Sequence, residues 1–206
     1  MNFSKPDPIK DFPYRYIFDT DTLITYDRFY PADIFKHLSS FMHNICQRKT
    51  ITICDKTKQE LYDGFKHDKL FGKTLLKEFE KANTILSVDL FSGITIKHQI
   101  MSTFISASAL VQSVVDHFAE TYLITHHPYL SSSDIELLAE TFMKEADSQL
   151  IVWAIVFDLK VVTNETGYLP NKPPSKDRIK IPDICYLLGI PHFNFISWLR
   201  EQNASI

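Results

Sequence analysis

The stretch "YRYIFDTDTLITY", Tyr14 to Tyr26, carries the reading of the fold. Its first half, Arg15 to Phe18, is aromatic and β-branched, the composition of a short buried strand. The run stops abruptly at Asp19, Thr20, Asp21 and Thr22. Two acids one residue apart at a strand's carboxyl end suggest a metal-dependent site on an α/β sheet, because such sheets bind ligands beyond the carboxyl ends of their strands. Asp19 and Asp21 are equally suited to capping a following helix, so the pair alone does not decide.

Outward from this stretch, strand-like and helix-like segments alternate. Pro31 and Asp33 introduce a helix with Ile34, Leu38, Phe41, Met42 and Ile45 on one face. "TITICD", Thr50 to Asp55, predicts a second strand. A helix over "KTKQELYDG" is expected to stop at Gly64, and another over "KLFGKTLLKEFEKA" leads to a strand at Thr84 to Leu90. In "SASALVQSVVDHFAETYL", Val111, Val114, Val115, Phe118 and Tyr122 make an apolar stripe at helical spacing. Ser133 and Glu136 have the spacing of a capping box that opens a helix towards Lys144. "ADSQLIVWAIVF" predicts a helix flowing into a strand at Leu159 to Thr163, and "KIPDICYLLGI" a helix closed by Gly189. Strands interleaved with helices predict an α/β fold with a central, mainly parallel sheet. The expectation is one domain over 1–206, with 1–13 as an N-terminal arm and about 91–145 as a helical insertion.

Composition narrows the function classes. Hydrophobic residues at 45% and charged residues at 23% predict a folded core, not wholesale disorder. With 5 Gly against 16 Phe, glycine-rich phosphate loops have little support. A formal charge of −3 does not advertise nucleic-acid binding, although a metal ion and a local basic patch would suffice for it. Cys46, Cys54 and Cys185 have neither zinc-ligand spacing nor the even number of a disulfide framework, and read as buried thiols of a reducing cytosol. The first residues lack a secretory pattern, and the longest apolar run, Leu150 to Phe157, is too short to span a bilayer. A cytoplasmic protein without membrane contact is expected.

Asp-x-Asp-x-Thr after a hydrophobic strand resembles the first motif of haloacid dehalogenase-like phosphatases, where the first Asp is a nucleophile. That family completes its metal site with a later Gly-Asp or Asp-Asp pair, and neither dipeptide occurs in this chain. A strand ending in Asp-Thr-x-x-Leu-Ile also resembles the opening of PIN-domain nucleases, and here the later segments agree. "TKQELYDG" puts Glu60 early in a helix after a strand. "EADSQLIVWA" looks like the family's Ala-Asp-x-x-Ile/Leu-Ile-x-x-Ala motif, with Asp147 in the ligand position and Ala154 on the packing face. "KVVTNE" resembles Val-Val-Thr-x-Asp/Glu, with Glu165 where the wider superfamily usually has Asp. "FYPADIFKHLSSFM" and "KIPDIC" look like an uncharacterised PIN-like bacterial family with a Lys-Ile-Pro-Asp-x-Cys signature.

The resemblance implies a PIN-like three-layer α/β/α domain that hydrolyses single-stranded or structured RNA. It implies Mg²⁺ or Mn²⁺ held by four catalytic carboxylates, Asp19, Glu60, Asp147 and Glu165. Hard divalent cations take carboxylate oxygens and keep several waters, which suits phosphodiester hydrolysis. It further implies the toxin of a bacterial type II toxin–antitoxin pair, with a cognate antitoxin protein as partner and homodimerisation common. Singly, each acid has a plainer reading: Asp19, Asp21 and Asp147 as helix caps, Glu60 as a solvated helix residue, Glu165 as a loop acid. Lys172, Lys176, Arg178 and Lys180, just after Glu165, are candidates for holding substrate phosphates, or simply form a solvated loop. The alternative function is a non-catalytic PIN-like binding module, with the phosphatase behind it.

Overall fold

A computed structural model describes residues 3–10, 12–66, 71–87, 90–91, 94–170 and 178–204. Tyr16–Phe18 form β1, the centre of a five-stranded sheet with Ile51–Cys54 (β2), Ile85–Leu86 (β3), Lys160–Val162 (β4) and His192–Phe193 (β5). The order is β3-β2-β1-β4-β5 and every pairing is parallel. The register sets Tyr16 opposite both Ile51 and Lys160. Every residue of β1 and β2 is buried, as expected of parallel strands covered on both faces. Even Thr52 fits, because its hydroxyl donates to the Thr84 carbonyl.

Side-chain alternation along the strands feeds two separate cores. Ile17, Cys54 and Val161 face one, and Tyr16, Phe18, Ile53 and Val162 face the other. The second core is covered by Thr20–Phe29 (α1), Lys36–Gln47 (α2), Lys73–Ala82 (α4) and Phe195–Glu201 (α10). Asp55–Lys66 (α3) follows β2 directly. The first core is covered by Ile94–Phe118 (α5), Ser132–Lys144 (α7), Ala146–Val156 (α8) and Ile181–Leu188 (α9). A π-helical turn, Ala119–Leu123, and Ile124–His126 (α6) continue α5. The fold is therefore α/β, a three-layer α/β/α arrangement on a parallel sheet. α8 is buried all round, which explains why "LIVWAIVF" shows no amphipathic period. The helical middle segment packs on α8 and completes the same core, with Val111, Val114, Val115 and Phe118 fully buried and Tyr122 against them.

Local expectations were corrected in several places. Helix α3 runs through Gly64 to Lys66 instead of stopping there, since packing outweighs the roughly 1 kcal/mol that glycine costs a helix. The capping box is formed by Ser131 and Asp134, two residues earlier than the Ser133–Glu136 spacing suggests. Asp serves in place of Glu because its shorter carboxylate still reaches the cap amide at 2.9 Å. α4 starts after Gly72, and Ile34, outside α2, is 71% exposed. The described residues of the N-terminal arm, 3–10 and 12–13, form no helix or strand, yet the Ile9 amide donates to the Val156 carbonyl and Phe12 stacks on Phe157 at 4.2 Å. Among the described residues no helix is long and apolar enough to cross a membrane.

Candidate functional site

The chain winds from β1 outward to β2 and β3, then returns to lay β4 on the other side of β1. The strand order reverses there, and a crevice opens beyond the carboxyl ends of β1 and β4. Asp19 follows β1 and Thr163 follows β4, so both enter that crevice. Asp19 is only 5% exposed. It occupies the N-cap position of α1, but its side chain caps nothing. Its Oδ2 instead accepts a 2.8 Å hydrogen bond from Thr163 Oγ1, which in turn accepts from the Glu165 amide at 3.1 Å. The Asp19 amide donates to the Val162 carbonyl at 3.0 Å, and Thr22 Oγ1 donates to that same carbonyl, also at 3.0 Å. The acid is thus locked to β4 from both sides. Asp21 lies within the first turn of α1, exposed, and is not the helix cap.

Glu60, on α3, ties three segments together. Its carboxylate accepts from Thr20 Oγ1 at 2.6 Å and from the Ala146 amide, at the start of α8, at 3.4 Å. Asp147 stands in the first turn of α8 and accepts no hydrogen bond from the described residues. Glu145, not Asp147, holds the cap position of that helix. Glu165 Oε2 accepts from the Ile181 amide at 3.1 Å, capping α9 through its side chain, and Arg178 approaches its other oxygen to 3.8 Å.

The four expected acids line one open cavity of about 470 Å³, together with Asp21, Glu145 and Arg178. Burial pushes Asp19 up to about 7, against the Thr163 hydrogen bond and with help from Glu165, Asp21 and Glu60. Burial also pushes Asp147 up to about 8, reinforced by Asp19, Glu165, Glu60 and Glu145. Glu145 is raised mainly by burial and by Glu60, with Arg178 opposing. Among the described residues six carboxylates and one guanidinium line the cavity, so its lining is predominantly acidic.

Among the described residues, no three His, Cys, Asp or Glu side chains converge tightly enough to make a ready-formed ion site. The donors nevertheless fit a hard divalent cation in kind, since all are carboxylate oxygens that raise one another's proton affinity. Side-chain rotation would be needed to gather them. Of the expected phosphate-binding residues, Lys172 and Lys176 lie outside the described residues. Arg178 is at the cavity, whereas Lys180 donates to the Thr166 carbonyl at 2.9 Å and lies over the Tyr168 ring.

Three contributors carry no assigned role in the sequence motifs. Glu145 faces the cavity next to Asp147 in sequence and was masked by its ordinary surroundings. Thr163 is the link between Asp19 and Glu165. Asp183, in the "KIPD" segment, is fully buried and accepts from the Tyr168 and Leu169 amides at 2.6 and 2.8 Å. It holds the turn that follows Glu165. At Gly167 a β-carbon would stand 2.7 Å from Pro182 Cβ, so glycine is required where this turn meets α9.

No curated protein and no solved structure matches the chain. A family model described as a domain of unknown function, DUF4411, matches residues 89–206. The matched part contains Asp147, Glu165, Arg178 and Asp183, while Asp19 and Glu60 precede it. Covering more than half of the sequence, that match shows that the chain belongs to the DUF4411 family.

Proposed function

We propose that the protein is a Mg²⁺- or Mn²⁺-dependent ribonuclease of the PIN superfamily, acting in the cytoplasm as the toxin of a type II toxin–antitoxin pair. The observation that carries the catalytic part is the meeting of Asp19, Glu60, Asp147 and Glu165, drawn from four distant segments, around one cavity at the sheet's switch point. The toxin role, its antitoxin partner and a homodimer rest on the resemblance alone.

A bound divalent ion would acidify an attacking water and neutralise the charge on a leaving oxygen. Asp19 and Asp147, the most electrostatically stressed of the acids, would hold it. Thr163 keeps Asp19 pointing into the crevice, and the amides of Ala146 and Ile181 fix Glu60 and Glu165 on either side. Without the ion, burial and the neighbouring acids hold both carboxyls well above the usual carboxylate range. Arg178, largely exposed at the rim, is placed to meet a substrate phosphate.

The test is cleavage of single-stranded RNA by the purified protein with Mn²⁺ and with chelator. Metal-dependent cleavage is expected; no turnover of any RNA under either condition would remove the enzymatic reading. A non-catalytic PIN-like module is the second reading. It is favoured by the backbone bonds that already engage Glu60 and Glu165, with no ready-formed ligand set among the described residues.

A further inference from the structure

One face of α1 leads out of the acidic cavity and ends in an exposed arginine–phenylalanine cluster. Asp21, Ile24 and Arg28 are three and then four residues apart, so they share that face. Asp21 and Ile24 line the cavity, and Arg28 follows about 10 Å beyond Asp21 along the helix. The Arg28 guanidinium stands 5.4 Å from the Phe29 ring centre and 5.9 Å from that of Phe71. Phe29 is 60% and Phe71 47% exposed. Arg28 has no carboxylate partner among the described residues.

The position of Phe71 is fixed by its neighbour. Gly72 has a φ of +92°, and a β-carbon there would stand 2.6 Å from Leu61 Cδ2 and 3.6 Å from Ile24 Cγ1. The left-handed backbone and the close approach to Leu61 of α3 require glycine at this corner, and the Phe71 ring just before it lies beside Arg28 of α1. Two exposed rings beside a guanidinium with no carboxylate partner among the described residues complement a nucleic-acid strand, with a π-face for a base and a charge for a phosphate. The cavity lining is predominantly carboxylate among the described residues, so a cation just outside it adds to Arg178 at the rim in holding a strand's phosphates.

We infer that Arg28, Phe29 and Phe71 form a landing for single-stranded RNA emerging from the acidic cavity, in which a base stacks on Phe71 and the neighbouring phosphate meets Arg28. This rests on the ribonuclease reading and sharpens it: duplex bases are already stacked and cannot lie on the ring, so the substrate is single-stranded within a few nucleotides of the cleaved bond.

Binding of a fluorescent single-stranded RNA oligonucleotide is measured in chelator by anisotropy, alongside Mn²⁺-dependent cleavage, for the wild type, Phe71→Ala, Phe71→Trp and Arg28→Ala. Phe71→Ala should weaken binding about tenfold, and raise KM while leaving kcat in place, with Phe71→Trp restoring affinity. Arg28→Ala should weaken binding and flatten the salt dependence by about 0.7 in log–log slope. Wild-type affinity and KM in both alanine variants would overturn the landing and leave the ribonuclease reading standing. The same result with lost self-association in sedimentation would assign the cluster to a protein contact instead. If the wild type neither binds nor cleaves RNA, the ribonuclease reading and the landing fall together.

Discussion

Asp19 is the residue on which the local chemistry turns. Its carboxyl is buried, hydrogen-bonded once, and surrounded by other acids, and its ordinary acidity is correspondingly suppressed. Replacing Thr163 by valine keeps the shape and removes both the donor to Asp19 and the acceptor for the Glu165 amide. The Asp19 carboxyl should then titrate higher still, because the lost bond is the one contribution that lowers it. Thermal or denaturant unfolding should show a loss of about 1–3 kcal/mol. Asp147→Asn acts in the opposite direction. It removes a charge that has no hydrogen-bonding partner among the described residues and several like-charged neighbours, so the metal-free variant should melt above the wild type near pH 8. Much at this scale was legible from sequence. Asp19, Glu60, Asp147 and Glu165 stand in ordered motifs, and the fold brings all four to one cavity. Glu145 was not legible, because nothing in a lone glutamate before a helix says which way the helix start will face.

At the scale of elements, the turn between β4 and α9 is the device that places Glu165. Asp183 reaches back from α9 to two amides of the turn, while Gly167 sits where no β-carbon fits. Asp183→Ala would leave two largely buried amides without an acceptor and should cost about 2–4 kcal/mol, measured by chemical denaturation. It should also reduce metal-dependent activity, since Glu165 loses its setting. The strands β1, β2 and β4 were readable because their short aromatic and β-branched stretches end in polar residues, β2 through its alternating Ile and Thr. The two-residue strand β5 was not, since an exposed His192 and a half-buried Phe193 carry no such pattern. Helix ends were the least readable. Gly64 sits inside a helix held by its packed face, and the capping box depended on which of three consecutive serines the chain turned at.

The molecule as a whole puts an acidic crevice at the carboxyl edge of its sheet, and this governs its response to pH. Asp19 and Asp147 have folded-state values of about 7 and about 8, well above those of an unfolded chain. Between pH about 4 and about 8 the folded protein therefore binds more protons than the unfolded one, so stability falls as pH rises. The contribution is fully present below about pH 4 and gone above about pH 8. Melting of the metal-free protein across that range should show the decline. Mn²⁺ should lift the high-pH end preferentially, because it replaces the lost protons as counter-charge. A flat profile with no Mn²⁺ effect would mean that the acids do not share an electrostatic site.

The central claim, that these carboxylates form one metal-dependent phosphodiesterase site, is tested most directly by Asp19→Asn. Initial rates of single-stranded RNA cleavage in Mn²⁺ are compared with the wild type, with melting curves verifying that both proteins are folded. The expected result is a folded variant whose activity falls by at least about 10²-fold. Equal rates in the two folded proteins would contradict the assignment of Asp19 and, with it, the site.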